Sequence, residues 1–213
     1  VMGRYANLEY VCAAKRPPPI LPDEAARLLR EVKVFTAGSD VDKVIELYRS
    51  FFEGVSQSTV ELRFSELEWG DAEAVQLAAV LPSFARLEAL NLGRSQIGDA
   101  GMAAIAEACR QLPKLKELHL GSNQIGDAGA AALAEACRQL PKLERLNLDS
   151  NQIGDAGMAA LAEAIAKEGA FPSLDIIDLD SNPASAEARK AVKEAPGKKL
   201  TAALSRGFPE HDR

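Results

Sequence analysis

Few side chains in this sequence could do covalent chemistry. It contains two histidines, His119 and His211, and three cysteines, Cys12, Cys109 and Cys137. It has no H-E-x-x-H pair, no Cys-x-x-Cys pair and no phosphate-binding P-loop. The residues therefore supply neither an activated nucleophile nor a paired acid and base, and we expect a protein that is not an enzyme and needs no cofactor.

Oxygen-bearing side chains are the more promising group. Two apolar stretches carry such residues near their ends: the first has Asn147 and Asp149, and the second has Asp178 and Asp180. Carboxylates suit Ca²⁺ or Mg²⁺, but no single loop brings six oxygen ligands together. We therefore expect a basic segment of a protein partner at this cluster, with Arg145 beside it orienting that partner, and no metal site.

Composition narrows the class of protein. The chain has 213 residues, 47% hydrophobic and 26% charged, with a net charge of −6, as expected of a globular protein. Residues 35–182 hold 12 Lys and Arg against 23 Asp and Glu, whereas both ends are basic. This main body has the wrong sign for nucleic acid. No apolar run approaches the ~18–20 residues that a membrane span needs.

Targeting and redox signals are weak. Residues 1–16 lack the apolar core of a secretion signal. Cys109 and Cys137 lie at equivalent positions 28 residues apart. Neighbouring helix axes are ~8–10 Å apart, whereas the Cα atoms of a disulfide lie within ~7 Å of each other. We therefore interpret both cysteines as buried, reduced thiols. The sequence favours the cytoplasm or another reducing compartment.

The sequence repeats itself with a period of 28 residues. Residues 87–114 and 115–142 are identical at 21 of 28 positions. Residues 143–173 carry the same unit with three extra residues, residues 174–195 begin another, and residues 59–86 form a degenerate first copy. Such self-similarity is typical of a solenoid in which each repeat packs only on its neighbours.

Each unit contains two periodicities. Leu115, Leu118 and Leu120 alternate with polar residues as in a short strand, and an alanine-rich helix is predicted over 128–139. Gly-Asp-Ala-Gly lies between them. Because it recurs every 28 positions, each time before an amphipathic helix, a corner and N-cap role explains it without a phosphate or calcium ligand. We expect Asp99, Asp127 and Asp155 each to cap the helix that follows it.

The motif L-x-x-L-x-L-x-x-N-x-I-G-D-A-G, complete in the units starting at Leu115 and Leu143, resembles that of leucine-rich repeat proteins of the 28-residue, ribonuclease-inhibitor-like subtype. The resemblance covers residues 59–195. It implies an α/β fold, a right-handed solenoid with a parallel sheet on its concave face and helices outside. It also implies that Asn123, Asn151 and Asn182 form a ladder that binds backbone groups of neighbouring units.

The strand residues between the leucines are predicted to face the concave side, since side chains alternate along a strand. Units 87–114 and 115–142 differ at seven positions, five of them in the strand segment. The strand segment has either drifted because packing does not constrain it, or diverged to fit a partner. The predicted partner-binding residues are Asn91, Arg94, Glu117, His119, Arg145, Asn147, Asp149, Asp178 and Asp180.

The ends are predicted to cover the apolar faces of the terminal repeats. Residues 1–22 form a proline-containing arm, residues 23–58 a helical cap and residues 196–213 a basic cap or tail. In the cap, a helix starting with Ser39 as N-cap and ending near Gly54 should bury one apolar side. The residues of that side are Val41, Val44, Ile45, Tyr48, Phe51 and Phe52.

The function that these features favour is a non-catalytic protein–protein interaction module, a scaffold that presents rigid polar side chains. One alternative is a structural subunit of a larger assembly, held by the N-terminal arm and the C-terminal tail. Inhibition of an enzyme by wrapping around it is a further alternative, although about five units form only a shallow arc. The sequence does not indicate an oligomeric state.

Overall fold

The computed structural model describes residues 16–31, 38–167, 171–195 and 200–202. Helices and strands alternate from residue 61 onwards. The helices are α1 (Pro22–Glu31), α2 (Gly38–Ser58), α3 (Asp71–Val80), α4 (Asp99–Cys109), α5 (Asp127–Cys137), α6 (Asp155–Ala166) and α7 (Ala186–Lys193). The strands are β1 (Glu61–Arg63), β2 (Ala89–Asn91), β3 (Glu117–His119), β4 (Arg145–Asn147), β5 (Ile176–Asp178) and β6 (Thr201–Ala202).

The strands form one parallel sheet in chain order, β1 to β6. Its register follows the repeat, with Leu90 paired to Leu118 and Leu118 to Leu146. These central residues are fully buried, because one face of the sheet packs on the helices. Sequential α3 to α7 pack side by side on that face. This arrangement confirms the predicted α/β solenoid.

The C-terminal segment differs from the prediction of a polar cap or tail. Thr201 and Ala202 add a sixth strand, which pairs in parallel with Ile176 and Ile177. Leu200 is buried just before it. The remainder of 196–213, including Pro196 and Gly197, lies outside the described residues.

An asparagine in each of the last three repeats connects that repeat to the one before it. The Asn123 amide donates to the carbonyl oxygens of Leu92 (2.9 Å) and Leu120 (3.0 Å), and its Oδ1 accepts from the Ile97 N–H. Asn151 and Asn182 repeat the same three bonds one unit further along. Each amide is buried, so these bonds satisfy backbone groups that water cannot reach.

The aspartates at the corners act between repeats, and the prediction that each caps its own helix was wrong. Helix α5 begins at Asp127 itself, with Gly126 as N-cap and no side-chain cap. Its free N–H groups at Gly126 and Gly129 donate to Asp99 of the preceding repeat, at 2.7 and 2.8 Å. Asp127, as the first residue of α5, instead directs its carboxylate to Gly154 and Gly157 of the next corner.

The same bond links the other corners. Asp71 accepts from Gly98 and Gly101, and Asp127 accepts from Gly154 and Gly157. A Cβ on the second glycine of each corner would lie 2.7 Å from the aspartate oxygen, which explains why a glycine is required there. At the last corner Asp155 accepts from the Ser185 N–H at 2.6 Å.

The first corner has no preceding repeat and is closed in another way. The carboxylate of Glu73, inside α3, accepts from the Gly70 N–H at 2.9 Å. Residues 16–20 also pack here, since the Trp69 indole donates to the Arg16 carbonyl (2.6 Å) and the Tyr48 hydroxyl to the Ile20 carbonyl (2.7 Å). Residues 16–20 are thus docked on α2 and the first repeat.

Helix α2 covers the first repeat with one side only. Ile45 and Phe52 are buried, and the Phe52 ring meets Phe84 edge-on at 6.1 Å. Val44 and Phe51, which we predicted on the same buried side, are exposed. The helix also runs four residues beyond the predicted end at Gly54. Ser39, the predicted N-cap, lies within the helix.

The direction of the aspartate bonds can be tested. Asp127→Ala removes the acceptor for two backbone N–H groups of the next repeat, and we expect it to lower the free energy of unfolding by about 1–2 kcal/mol. In hydrogen exchange, the amides of Gly154 and Gly157 should exchange faster, whereas the amide of Ala130 in α5 should not. Asp127→Asn, which keeps an acceptor oxygen, is the control. Faster exchange at Ala130 alone would contradict the assignment.

The asparagine ladder can be extended by mutation. Ser95 occupies the ladder position of the second repeat, and its hydroxyl is buried without a hydrogen-bond partner. Ser95→Asn should raise the free energy of unfolding by about 1 kcal/mol, because an amide reaches the backbone of the first repeat. The reverse change, Asn123→Ser, should lower it by roughly 1–3 kcal/mol by leaving the Ile97 N–H unpaired. Denaturation curves measure both.

Candidate functional site

The polar side of the sheet lies opposite the helices, and we call it the strand face. In β2 to β5 the middle residue is buried, and the residues on either side of it are half-buried. The register aligns these flanking residues in two columns. One column is Glu61, Ala89, Glu117, Arg145 and Ile176; the other is Arg63, Asn91, His119, Asn147 and Asp178.

The chain turns sharply three residues after each of the strands β1 to β5. The residue there adopts a left-handed backbone, with φ between 52° and 63°. The five residues concerned are Glu66, Arg94, Ser122, Ser150 and Ser181. The same bend in every repeat places Asp149 and Asp180 at equivalent points along the rim of the strand face.

Charges at the N-terminal end of the strand face are paired. Arg63 contacts Glu61 at 2.6 Å, and Arg94 contacts Glu66 at 2.7 Å. Arg94 therefore does not join the other predicted partner-binding residues. Between these pairs and the centre of the face lies the small side chain of Ala89.

At the centre of the face, the Glu117 carboxylate contacts both Arg145 and His119. One of its carboxylate oxygens pairs with the Arg145 guanidinium, and the other lies 3.4 Å from Nε2 of His119. Arg145 is thus bound by Glu117, whereas we predicted that it would orient a partner beside the acidic cluster. Burial lowers the pKa of His119, although Glu117 acts in the opposite direction. The imidazole is therefore mainly neutral at pH 7.

Three residues of the second column make the same local hydrogen bond. Oδ1 of Asn91, Asn147 and Asp178 accepts from the backbone N–H two residues later, at 3.0, 3.0 and 3.1 Å. This bond fixes each side chain against its own turn. An amide suffices for it at two of the three positions, so the carboxylate of Asp178 is not needed for the turn.

The C-terminal end of the face carries the acidic cluster, which consists of Asp149, Asp178 and Asp180. Burial, followed by repulsion from Asp149 and Asp180, raises the pKa of Asp178. The Asp180 carboxylate lies 3.5 Å from the Lys193 ammonium. The structure thus brings Asp149 and Asp180 close enough to Asp178 to repel it. Asn147 lies beside Asp178 in the register of the sheet.

Gly121 provides the space that Asp149 occupies. A Cβ on Gly121 would lie 2.1 Å from Oδ1 of Asp149 and 2.6 Å from Oδ1 of Asn147. Ser150 donates to the other Asp149 oxygen at 3.0 Å. Sequence reasoning missed Gly121 and Lys193. The change from glycine at positions 93 and 121 to aspartate at positions 149 and 180 was the available signal for Gly121.

The described residues contain no group of three or more His, Cys, Asp or Glu side chains arranged to hold a metal ion. Burial raises the pKa of the Cys109 thiol to about 12, which leaves it protonated and unreactive. The Cys137 side chain and all of Cys12 lie outside the described residues. None of the helices described is long and apolar enough to span a membrane.

Family comparisons agree with this geometry. The model for leucine-rich repeats in two copies matches residues 113–163, and a single leucine-rich repeat model matches residues 87–106. The chain is a leucine-rich repeat protein. The ribonuclease-inhibitor-like subtype stays a prediction from the 28-residue period. Comparison with curated proteins gives no match.

Two solved structures share the fold of this leucine-rich repeat protein. A leiomodin-1 fragment titled actin-binding site 2 is 18% identical, with a TM-score of 0.55 over 69% of this chain and 86% of that fragment. The tropomodulin C-terminal domain of Caenorhabditis elegans is also 18% identical, with a TM-score of 0.56 over 68% of this chain and 89% of that domain. At this identity the likeness concerns the fold alone.

The environment of His119 predicts a pH dependence. Its pKa in the folded chain is lower than the usual 6.5, so the unfolded chain binds protons more readily in the interval below pH 6.5. Stability should therefore fall as the pH drops through that interval. An NMR titration should give a His119 midpoint below 6.5, and His119→Gln should remove this part of the pH dependence. A midpoint at or above 6.5 would contradict the burial.

Proposed function

We propose that this leucine-rich repeat protein is a non-catalytic binding module that receives a basic segment of a protein partner on the C-terminal part of the strand face. The observation that supports the proposal is the acidic cluster, Asp149, Asp178 and Asp180, which repeats four and five present beside a largely neutralised surface. A lysine or arginine of a partner is the natural complement of such a cluster.

The rest of the strand face has its charges balanced within the chain. Glu61, Glu66 and Glu117 each pair with an arginine. In the cluster, Lys193 is the one cation within 4 Å among the described residues, and it contacts Asp180 alone. Among the described residues, Asp149 and Asp178 therefore have no cation within 4 Å, and Lys193 acts on Asp178 only from a greater distance.

Asp178 carries an energetic cost that the fold does not require. Asn91 and Asn147 make the same backbone hydrogen bond without a charge, whereas Asp178 is half-buried beside two other carboxylates. Local features that oppose stability are concentrated at functional sites. A cation from a partner would offset this repulsion, so the cost is consistent with binding.

The architecture limits the entropy lost on binding. Asn147 and Asp178 are held by hydrogen bonds to their own turns, and Asp149 is seated over Gly121 with Ser150 as donor. Side chains that are ordered before association lose less conformational entropy when the partner arrives. Actin binding is stated of the leiomodin fragment, and the proposal for this chain does not depend on it.

A basic peptide tests the site directly. An octa-lysine peptide should bind the intact chain at low salt, and Asp149→Asn combined with Asp178→Asn should weaken that binding at least tenfold. The matched control is Glu107→Gln combined with Glu163→Gln, which changes the net charge equally on exposed helix positions. Isothermal calorimetry gives both affinities. Equal weakening by the two double variants would show that net charge alone attracts the peptide, and would overturn the site.

Asp178→Asn also predicts an effect on stability. The folded state raises the pKa of this carboxyl group above 3.8, so the wild-type chain loses stability as the pH rises through the interval just above 3.8. The asparagine variant lacks this loss. We expect it to unfold at a higher temperature than wild type at pH 7, with the difference vanishing near pH 3. A less stable variant at pH 7 would show that the carboxylate serves the fold.

A further inference from the structure

Exposed apolar side chains are concentrated at one end of the chain. Seven large hydrophobic residues are exposed in the described part of the structure, and every one precedes residue 76. They are Leu21, Leu28, Val44, Leu47, Phe51, Val60 and Val75. The later repeats, by contrast, bury their large hydrophobic side chains. An exposed apolar patch of this kind marks an interaction surface.

Three of these residues form a stripe along α2. Val44, Leu47 and Phe51 are separated by three and four positions, which places them on one face of a helix. Their exposed fractions are 36%, 70% and 62%. Ile45 and Phe52 face the first repeat, so the stripe is a second apolar face that the cap does not use to cover the solenoid.

Gly54 continues the same stripe three residues after Phe51. It lies inside α2, where glycine weakens a helix relative to alanine. Nothing in the structure requires it: a Cβ at this position would meet no atom within 4 Å, and the backbone is not left-handed. A small residue on an exposed apolar stripe permits the close approach of another helix.

We propose that α2 pairs with α2 of a second copy of this chain in antiparallel orientation. The stripe positions 44, 47, 51 and 54 have spacings of three, four and three, and these spacings are unchanged when the helix is reversed. A two-fold axis near residue 49 would place Leu47 against Phe51 of the second copy. It would also place Val44 against Gly54 of the second copy, a large side chain against the gap.

If two copies associate, the charge distribution favours contact through α2 over contact through the repeats. Residues 59–182 carry a net charge of −9 (10 Lys and Arg, 19 Asp and Glu), and α2 carries −2 (two and four). Two copies that met through their repeats would repel strongly, and contact through α2 keeps the acidic repeats apart. The stripe spans eleven residues, 44–54, or ~15 Å of helix, which is small for a protein interface. The dimer should therefore be weak and depend on concentration.

Sedimentation equilibrium of the intact chain between 5 and 500 µM tests the pairing. The apparent mass should rise from 22.8 kDa towards twice that value. Leu47→Gln combined with Phe51→Gln should keep the chain monomeric throughout, with an unchanged circular dichroism spectrum. Val75→Gln, which changes an exposed apolar residue of α3 outside the stripe, should dimerise as wild type does.

Gly54→Leu separates specific pairing from general adhesion. This change enlarges the exposed apolar surface, so nonspecific association would increase. In the proposed pair the new side chain meets Val44 of the second copy, and dimerisation should weaken at least tenfold while the variant stays folded. Stronger association of Gly54→Leu would overturn the proposal.

Cross-linking determines the orientation. In a Cys12→Ser background, chains with Leu47→Cys should form disulfides mainly with chains carrying Phe51→Cys when the two are mixed. Preferential linkage between two Leu47→Cys chains would contradict the antiparallel arrangement. A wild-type chain that stays monomeric at 500 µM, but dimerises once residues 1–15 are removed, would show that this segment occupies the stripe instead and would also overturn the proposal.

Discussion

The fold depends on side-chain oxygens that accept hydrogen bonds from the backbone of an adjacent repeat. A solenoid of strands and short helices has a corner in every turn, and each corner leaves N–H groups without a partner in its own element. Asp99 serves the corner at Gly126, and Asn123 serves the backbone of the repeat before it. From the second repeat onwards each corner is completed by the repeat before it, so the 28-residue spacing fixes the register of sheet and helices together.

That register creates the strand face. Once Leu118 and Leu146 are paired and buried, Glu117 must lie beside Arg145, and their charges cancel. The same alignment brings Asp149, Asp178 and Asp180 together, and within the described part of the chain only Lys193 forms an ion pair with the cluster. One constraint thus produces both a neutral region and an acidic one. The difference between them comes only from the residues that occupy the two outward columns.

Much of this could be predicted from the sequence, because alternation and the repeat period are local patterns. The columns, the acidic cluster and the leucine-rich core follow from them. The direction of the Asp127 bonds could not be predicted. An N-cap residue and a first helical residue differ by only one position in the sequence, and Asp127 accepts from the Gly154 N–H, 27 residues away. Phe51 was predicted on the buried side of α2 but is exposed, because this helix is apolar on two sides. The contact of Arg145 with Glu117 required knowing which side chains reach each other across strands.

The bonds between corners all run in one direction, with the aspartate of each repeat serving the next, and the two ends are finished by other means. At the first corner, Glu73 of α3 accepts from the Gly70 N–H of the same repeat. At the last corner, the Ser185 N–H donates to Asp155. Any whole unit copied into the middle of the array therefore brings one acceptor and one set of donors, and leaves neither end disturbed. Duplication of the gene segment that encodes one repeat can therefore lengthen the chain, because the hydrogen bonds between corners form again without any new interaction.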